Sequence, residues 1–291
     1  MKVLDDEELR TVHQDLANYF PKSLQMHYMI GNRIRKEPDW PGTEFVVDDF
    51  PNYTVVIRRP IAGSKDYVPW PRTASVLIFC KDVQKLESFL LANGCVDYSE
   101  PVTFFGISRN DVYPVVIELS KKLGTVDEQD PPDWGNMFLL HPEHLVKTPI
   151  PEGFRLGELR EEHAEQLNEE WRYSGGQAVP FFKQILKAGY PTSGVFTEDG
   201  QLVAYILNLP DGCMGHGYVQ PEYRNKGLFQ VVNYDLATKI IARGNRTAWA
   251  YVMKWNTVSQ NAYRKLGAKL VDDREFCVDW VHYHPKHDNK K

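Results

Sequence analysis

The chain reads as a mixed α/β protein, in the α+β sense, built as two domains, and three observations carry that reading. Its 291 residues exceed what one hydrophobic core ordinarily organises. Short apolar runs of strand length, such as Ser75-Val-Leu-Ile-Phe-Cys80, alternate with stretches whose apolar residues recur at helical spacing. A polar segment twice interrupted by proline, Asp127-Glu-Gln-Asp-Pro-Pro-Asp-Trp-Gly135, breaks the pattern near mid-chain. The boundary is expected a little beyond it, near Pro149-Ile-Pro151, giving domains 1–150 and 151–291.

Taken in order, residues 5–19 make a helix, and Gln25 to Arg33 and Tyr53 to Arg59 read as strands. Ser75 to Cys80 is a third strand, followed by a helix that Asp82 caps and that runs to Asn93. Asp111 to Leu123 carries apolar residues at 112, 115, 116, 119 and 123, which is helical spacing. In the second half Phe154 to Leu156 is a strand, and Glu161 to Arg172 and Val179 to Ala188 are helices. Gly194 to Thr197 and Leu202 to Leu209 pair through the turn Glu198-Asp-Gly-Gln201. Cys213 to Gln220 extends that sheet, and Thr247 to Met253 is a further strand. Lys269 to Val271 and Glu275 to Tyr283 are expected to close the far edge of the second domain. The result is a mixed, mostly antiparallel sheet flanked by helices.

Composition narrows the function classes. A net charge of -5 and a pI near 6.0 call for neither nucleic acid nor an anionic membrane surface. No apolar run approaches the ~20 residues of a membrane-spanning helix, so no membrane insertion is expected. Cys80, Cys95, Cys213 and Cys277 show no paired or zinc-like spacing and read as reduced thiols. Met1-Lys-Val-Leu-Asp-Asp-Glu-Glu8 has neither signal-peptide nor transit-peptide character, and the final Asn-Lys-Lys is no peroxisomal address. An intracellular protein, cytoplasmic or mitochondrial, is expected. His282, His284 and His287 sit in a polar tail and read as solvated rather than as a metal site. Nothing sets an oligomeric state, and a monomer is compatible with the sequence.

The richest segment is Gly217-Tyr-Val-Gln-Pro-Glu-Tyr-Arg-Asn-Lys-Gly-Leu228. It reads as a strand ending at Pro221, a turn through Arg224-Asn-Lys-Gly227, and a helix running to about Arg243. Glycine lets a backbone approach an anion, and first-turn N–H groups with the helix dipole attract it, so the turn suits a pyrophosphate. Asn256-Thr-Val-Ser-Gln-Asn-Ala-Tyr263-Arg-Lys-Leu-Gly267 then follows a strand and reads as a short helix ended by Gly267.

Strand, phosphate turn, helix, strand, Asn, helix, Tyr and Gly in this order resemble the GNAT superfamily of acyl-CoA-dependent N-acyltransferases. Pro221-Glu-Tyr-Arg-Asn-Lys-Gly-Leu228, Val47-Asp-Asp-Phe-Pro-Asn-Tyr-Thr-Val-Val56 and Trp171-Arg-Tyr-Ser-Gly-Gly176 are similar to the glycine N-acyltransferase branch. The similarity runs from about Leu24 to Gly267. It implies tandem GNAT-like domains. The C-terminal one would carry the acyl-CoA site, and the N-terminal one, which lacks a phosphate turn, would be a non-binding partner.

The resemblance assigns cofactor contacts to Arg224, Asn225, Lys226, Gly227, Leu228 and Phe229 of the turn and to Asn256. It also implies free backbone donors at Tyr218 and Val219, on the strand that splays from its neighbour, and a general acid at Tyr263. Phe229 departs from the pattern, which there usually has Gly or Ala. The glutamate credited as base in the family is replaced by Cys213, whose reference pKa of ~8.5 makes it a poor substitute. Two other bases are available. Asp211 sits in a Pro-Asp-Gly turn, and His216, with a reference pKa of ~6.5, lies on the strand itself. A bulge at Gly215 would bring His216 and Cys213 to one side, and His216 is the expected base. Arg172 is a candidate cation for an acceptor carboxylate.

The expected activity is acyl transfer from acyl-CoA, as co-substrate, to the amine of glycine or a similar small amino acid, with no covalent intermediate and no metal. Two alternatives stay open: an N-acetyltransferase with a different amine acceptor, and a degenerate acyltransferase that binds acyl-CoA without turnover.

Overall fold

The computed structural model describes residues 1–69, 73–92, 94–127, 134–171 and 177–286. Two compact units share the chain. One comprises Met1–Lys36, Trp40–Gly135 and Asp273–Lys291, the other Glu37–Asp39 and Asn136–Asp272. The division thus falls at 135/136 and again at 272/273, where the sequence suggested a single break near 150.

The first unit begins with β1 (Lys2–Val3), α1 (Asp6–Leu16) and α2 (Leu24–Arg35). It continues through β2 (Thr43–Val47), β3 (Val55–Pro60), β4 (Ala74–Cys80), α3 (Leu86–Leu90), β5 (Val102–Ser108), α4 (Val112–Leu123) and β6 (Gly124–Val126). α1 starts where Asp5 accepts the N–H groups of Glu7 and Glu8 while Glu8 reaches back to the cap, a reciprocal capping box. α2 corrects an expectation, because Gln25 to Arg33 is helical rather than extended. The segment buries Gln25, Met26, Tyr28, Met29, Ile30, Gly31 and Asn32. A helix buried on nearly every side loses the one-faced pattern by which helices are recognised.

The second unit contains β7 (Gly135–Leu140), β8 (Phe154–Gly157), α5 (Ala164–Glu170), α6 (Val179–Lys187), β9 (Thr192–Thr197), β10 (Leu202–Asn208) and β11 (Met214–Val219). After the turn come α7 (Leu228–Ala242), β12 (Ala248–Met253), α8 (Thr257–Lys265) and β13 (Lys269–Leu270). The chain then returns to the first unit with β14 (Cys277–Pro285), which pairs antiparallel with β5, Val278 opposite Ser108, and with β6. The strand expected at the far edge of the second domain thus belongs to the first unit. Alternation and branched residues mark it as a strand but carry no information about which sheet receives it. The first unit's sheet runs β1-β2-β3-β4-β5-β14, antiparallel except for the parallel β4–β5 pair.

In the second unit β11, β10, β9 and β8 form one antiparallel sheet, while β12 and β13 both pair with β7. α7 packs Leu228, Val231, Val232, Leu236 and Ile240 into a core shared with Val203, Ala204 and Ile206 of β10 and Ala248, Ala250 and Val252 of β12. Those positions follow the i, i+3, i+4 rule, and each buried aliphatic side chain contributes ~1.5–3 kcal/mol. α7 therefore fixes the turn before it against both sheets. β11 and β12 are neighbours that no ladder joins, and this gap positions the site.

Candidate functional site

β11 is bent by a bulge. Its register runs Val219 opposite Ala204 and Tyr218 opposite Tyr205, then Gly215 opposite Leu207, so β11 carries one extra residue. His216 takes the left-handed conformation there, with φ +56°. The bulge expected at Gly215 thus falls at His216 and Gly217. Gln220 donates its N–H to Val203 O at 2.9 Å, so antiparallel alternation turns the Val219 N–H away from β10 and the Tyr218 N–H towards it. Of the two expected free donors, alternation leaves Val219.

The bulge sends the His216 ring among aromatic side chains. Its centroid lies 4.3 Å from Trp171, 5.4 Å from Phe182 and 6.5 Å from Phe181. Burial in this setting disfavours the imidazolium and lowers the pKa from 6.5 to about 3. Such an imidazole is neutral at pH 7 and holds a proton weakly, which counts against its expected role as base.

At the gap between β11 and β12, Cys213 Sγ accepts the N–H of Tyr251 at 3.3 Å. Burial first and the Asp211 carboxylate second raise the Cys213 pKa well above its ordinary value. Asp211 is 5% exposed, and its Oδ1 accepts the Cys213 N–H at 3.2 Å. Tyr263, 4% exposed, stacks on Phe138 at 5.7 Å between ring centroids and meets Phe229 edge-on at 6.1 Å. Burial, with a smaller effect of Cys213, raises its pKa, so the hydroxyl stays protonated. No hydrogen-bond partner for that hydroxyl is found among the described residues. Tyr263, Cys213 and Asp211 therefore belong to one buried cluster at the gap.

Outside the gap the turn forms an anion-binding concavity. Asn225 (φ +63°) and Gly227 (φ +77°) are both left-handed, and no side chain caps the start of α7. Successive N–H groups in such a turn make a nest for an anion. Arg224 is held in place by donating from Nε to Val219 O at 3.1 Å. The turn opens on a groove of about 850 Å³ walled by Gly217, Tyr218, Val219, Arg224, Asn225 and Gly227 through Gln230, and on the other side by Val258, Ser259, Asn261, Ala262 and Lys265 of α8. Among the described residues two cations, Arg224 and Lys265, and no carboxylate line it, which suits a polyphosphate.

Two assignments fall elsewhere. Lys226 lies over the rings of Tyr223 and Phe154, at 5.1 and 5.7 Å, and does not line the groove. Asn256 caps its own helix by accepting the Ser259 N–H at 3.1 Å. Arg172 lies outside the described residues, as do most of the Trp171–Gly176 motif, 128–133 of the expected linker, and His287. Sequence reasoning missed Lys265, Ser259 and Thr148 of the groove. Lys265 shares a helix face with Asn261, a signal that was available; Thr148 sits on a loop that only folding brings near. No group of three metal-ligating side chains occurs among the described residues, and none of their helices is long and apolar enough to cross a membrane.

Comparison with known proteins fits this geometry. Residues 1–188 match the family described as aralkyl acyl-CoA:amino acid N-acyltransferase, and residues 192–277 match the FR47-like family. Human glycine N-acyltransferase-like protein 2 is 23% identical over 91% of this chain and 93% of its own length. Rat glycine N-acyltransferase is 22% identical over 87% and 89%. Among solved structures, a Drosophila protein covers 98% of both chains with a TM-score of 0.79 at 16% identity. A tandem GNAT protein from the clavulanic acid biosynthesis pathway also covers 98% of both, with a TM-score of 0.54 at 15% identity. The fold is that of tandem GNAT proteins, and the chain belongs to the aralkyl acyl-CoA:amino acid N-acyltransferase family.

Proposed function

We propose that this protein transfers an acyl group from acyl-CoA to the amine of glycine or a similar small amino acid. The observation that carries the reading is the cationic groove, whose uncapped helix start and two left-handed turn residues adjoin the buried Tyr263 cluster. The names of the human and rat relatives support glycine as the acceptor.

In this reading Arg224, Lys265 and the N–H groups of residues 225–230 hold the phosphates, and the Val219 N–H faces the acyl carbonyl. The amine nitrogen bonds to the acyl carbon as the carbon–sulfur bond breaks. Asp211, the second base candidate, takes the amine's proton, and Tyr263 donates one to the departing sulfur. The Cys213 thiol, held neutral by burial, is a poor nucleophile, which favours direct transfer over a covalent intermediate.

A second reading, binding without turnover, is favoured by Cys213 at the family's acidic position and by the weakly basic His216. Thiol release from acetyl-, benzoyl- and long-chain acyl-CoA with a panel of amino acids and other amines separates the two. Turnover identifies the substrates, and the best amine decides between an amino acid and another acceptor. Thermal stabilisation by coenzyme A without turnover selects the binding reading. Neither effect would overturn both.

A further inference from the structure

We infer that Phe229 is a gate between the phosphate groove and the Tyr263 cluster, one that admits the linear amide arm of the thioester and that armless nucleotides never meet. The inference rests on the acyl-CoA reading of the same groove. Phe229 lines the groove, whereas Tyr263 does not, yet the two rings meet edge-on at 6.1 Å. The Phe229 ring therefore stands where the groove ends and the buried cluster begins. An arm running from the phosphate turn to the proton donor has to pass it.

The strand side of this passage is matched to the ring. Gly217 is absent from the left-handed positions, so its backbone does not call for glycine. What the position requires is the lack of a side chain. A Cβ there would lie 2.9 Å from Phe229 Cε2 and 3.4 Å from Ile206 Cδ1. The turn as a whole is not so crowded, since a Cβ on Gly227 would meet nothing within 4 Å. The close fit belongs to the 217/229 pair, a large ring on the first turn of α7 set against a gap on β11.

For the arm to enter, the ring must turn about its side-chain bonds into a less populated position. If that open position holds about a tenth of the population, the apparent affinity for an arm-bearing ligand is about tenfold weaker than the intrinsic one. Ligands that stop at the phosphates escape this penalty.

Calorimetric titration of acetyl-CoA and of adenosine 3′-phosphate 5′-diphosphate, which has the phosphates and no arm, tests the gate. Phe229→Ala is expected to tighten acetyl-CoA about tenfold relative to the nucleotide. Gly217→Ala adds a methyl group on the other side of the passage and is expected to weaken acetyl-CoA alone; combining it with Phe229→Ala abolishes that loss. Phe229→Leu keeps an apolar partner for Tyr263 and gives the same sign as Ala should the larger truncation unfold. An unchanged ratio of the two affinities in Phe229→Ala and Phe229→Leu, or a weaker acetyl-CoA complex, overturns the gate. Failure of the wild-type protein to bind either ligand sinks the acyl-CoA reading itself, a result distinct from loss of the gate.

Discussion

Tyr263→Phe separates chemistry from packing because it deletes a single oxygen. The ring keeps its contacts with Phe138 and Phe229. The deleted hydroxyl takes no hydrogen bond from any described residue with it, so stability should change by less than about 1 kcal/mol. If the hydroxyl protonates the leaving sulfur, kcat falls by roughly 10²–10⁴, equivalent to about 3–5.5 kcal/mol of barrier. Because burial raises the Tyr263 pKa above its ordinary 10, wild-type activity should show no Tyr263 limb up to that pH. The sign for stability follows from linkage. The folded hydroxyl cannot ionise where the unfolded one can, so the stability it contributes is complete below pH 10 and is lost as pH rises past it. Tyr263→Phe should lessen that alkaline loss. Single-turnover thiol release, with urea unfolding at pH 8 and 10.5, reads both effects. An unchanged single-turnover rate would refute the acid role, whatever happened to stability.

Gly227→Ala introduces no clash, since its methyl group meets nothing within 4 Å, but it places alanine at φ +77°. The cost is about 1–2 kcal/mol, or a loss of coenzyme A affinity of tenfold or more if the turn rearranges instead; melting and calorimetry distinguish the two. His216→Asn keeps a side chain that tolerates the left-handed conformation and should leave the pH profile of kcat/KM unaltered. With a folded pKa of about 3 against 6.5 unfolded, His216 destabilises the native state as pH falls through that window, by up to about 1.4 kcal/mol per unit. Urea midpoints at pH 4 and 7 should therefore lie closer together in the variant. Asp211→Asn retains an acceptor for the Cys213 N–H and should lower turnover at pH 7 about a hundredfold. The residual rate should rise with pH as the free amine deprotonates.

The phosphate turn is legible in the sequence because its requirements are local: an Arg held to the preceding strand, two left-handed residues, a glycine at the helix mouth. The hairpin of β9 and β10 is readable for the same reason, Gly200 donating to Thr197 O at 3.0 Å within the turn. His216 shows where local reading ends. Its position on the strand is plain, but its basicity is set by Trp171, Phe181 and Phe182, which lie more than thirty residues earlier. Phe229 is similar. As a departure from a motif it is visible at once, yet its meaning depends on Gly217 and Tyr263 reaching the same place. α2 escapes because burial erases its pattern, and Asn256 is recognised at the right position but serves its own helix.

The return of β14 to the first sheet has a consequence for how the molecule is made. Residues 136–272 make up the second unit apart from Glu37–Asp39, so all of its residues have been synthesised before Cys277–Pro285 leaves the ribosome. The first unit, although synthesised earlier, must wait with the inner edge of β5 unsatisfied until Cys277–Pro285 emerges. Birth order and completion order are thus reversed. A stop codon after residue 272 would remove β14 and leave on the first unit an open strand edge suited to capturing another chain.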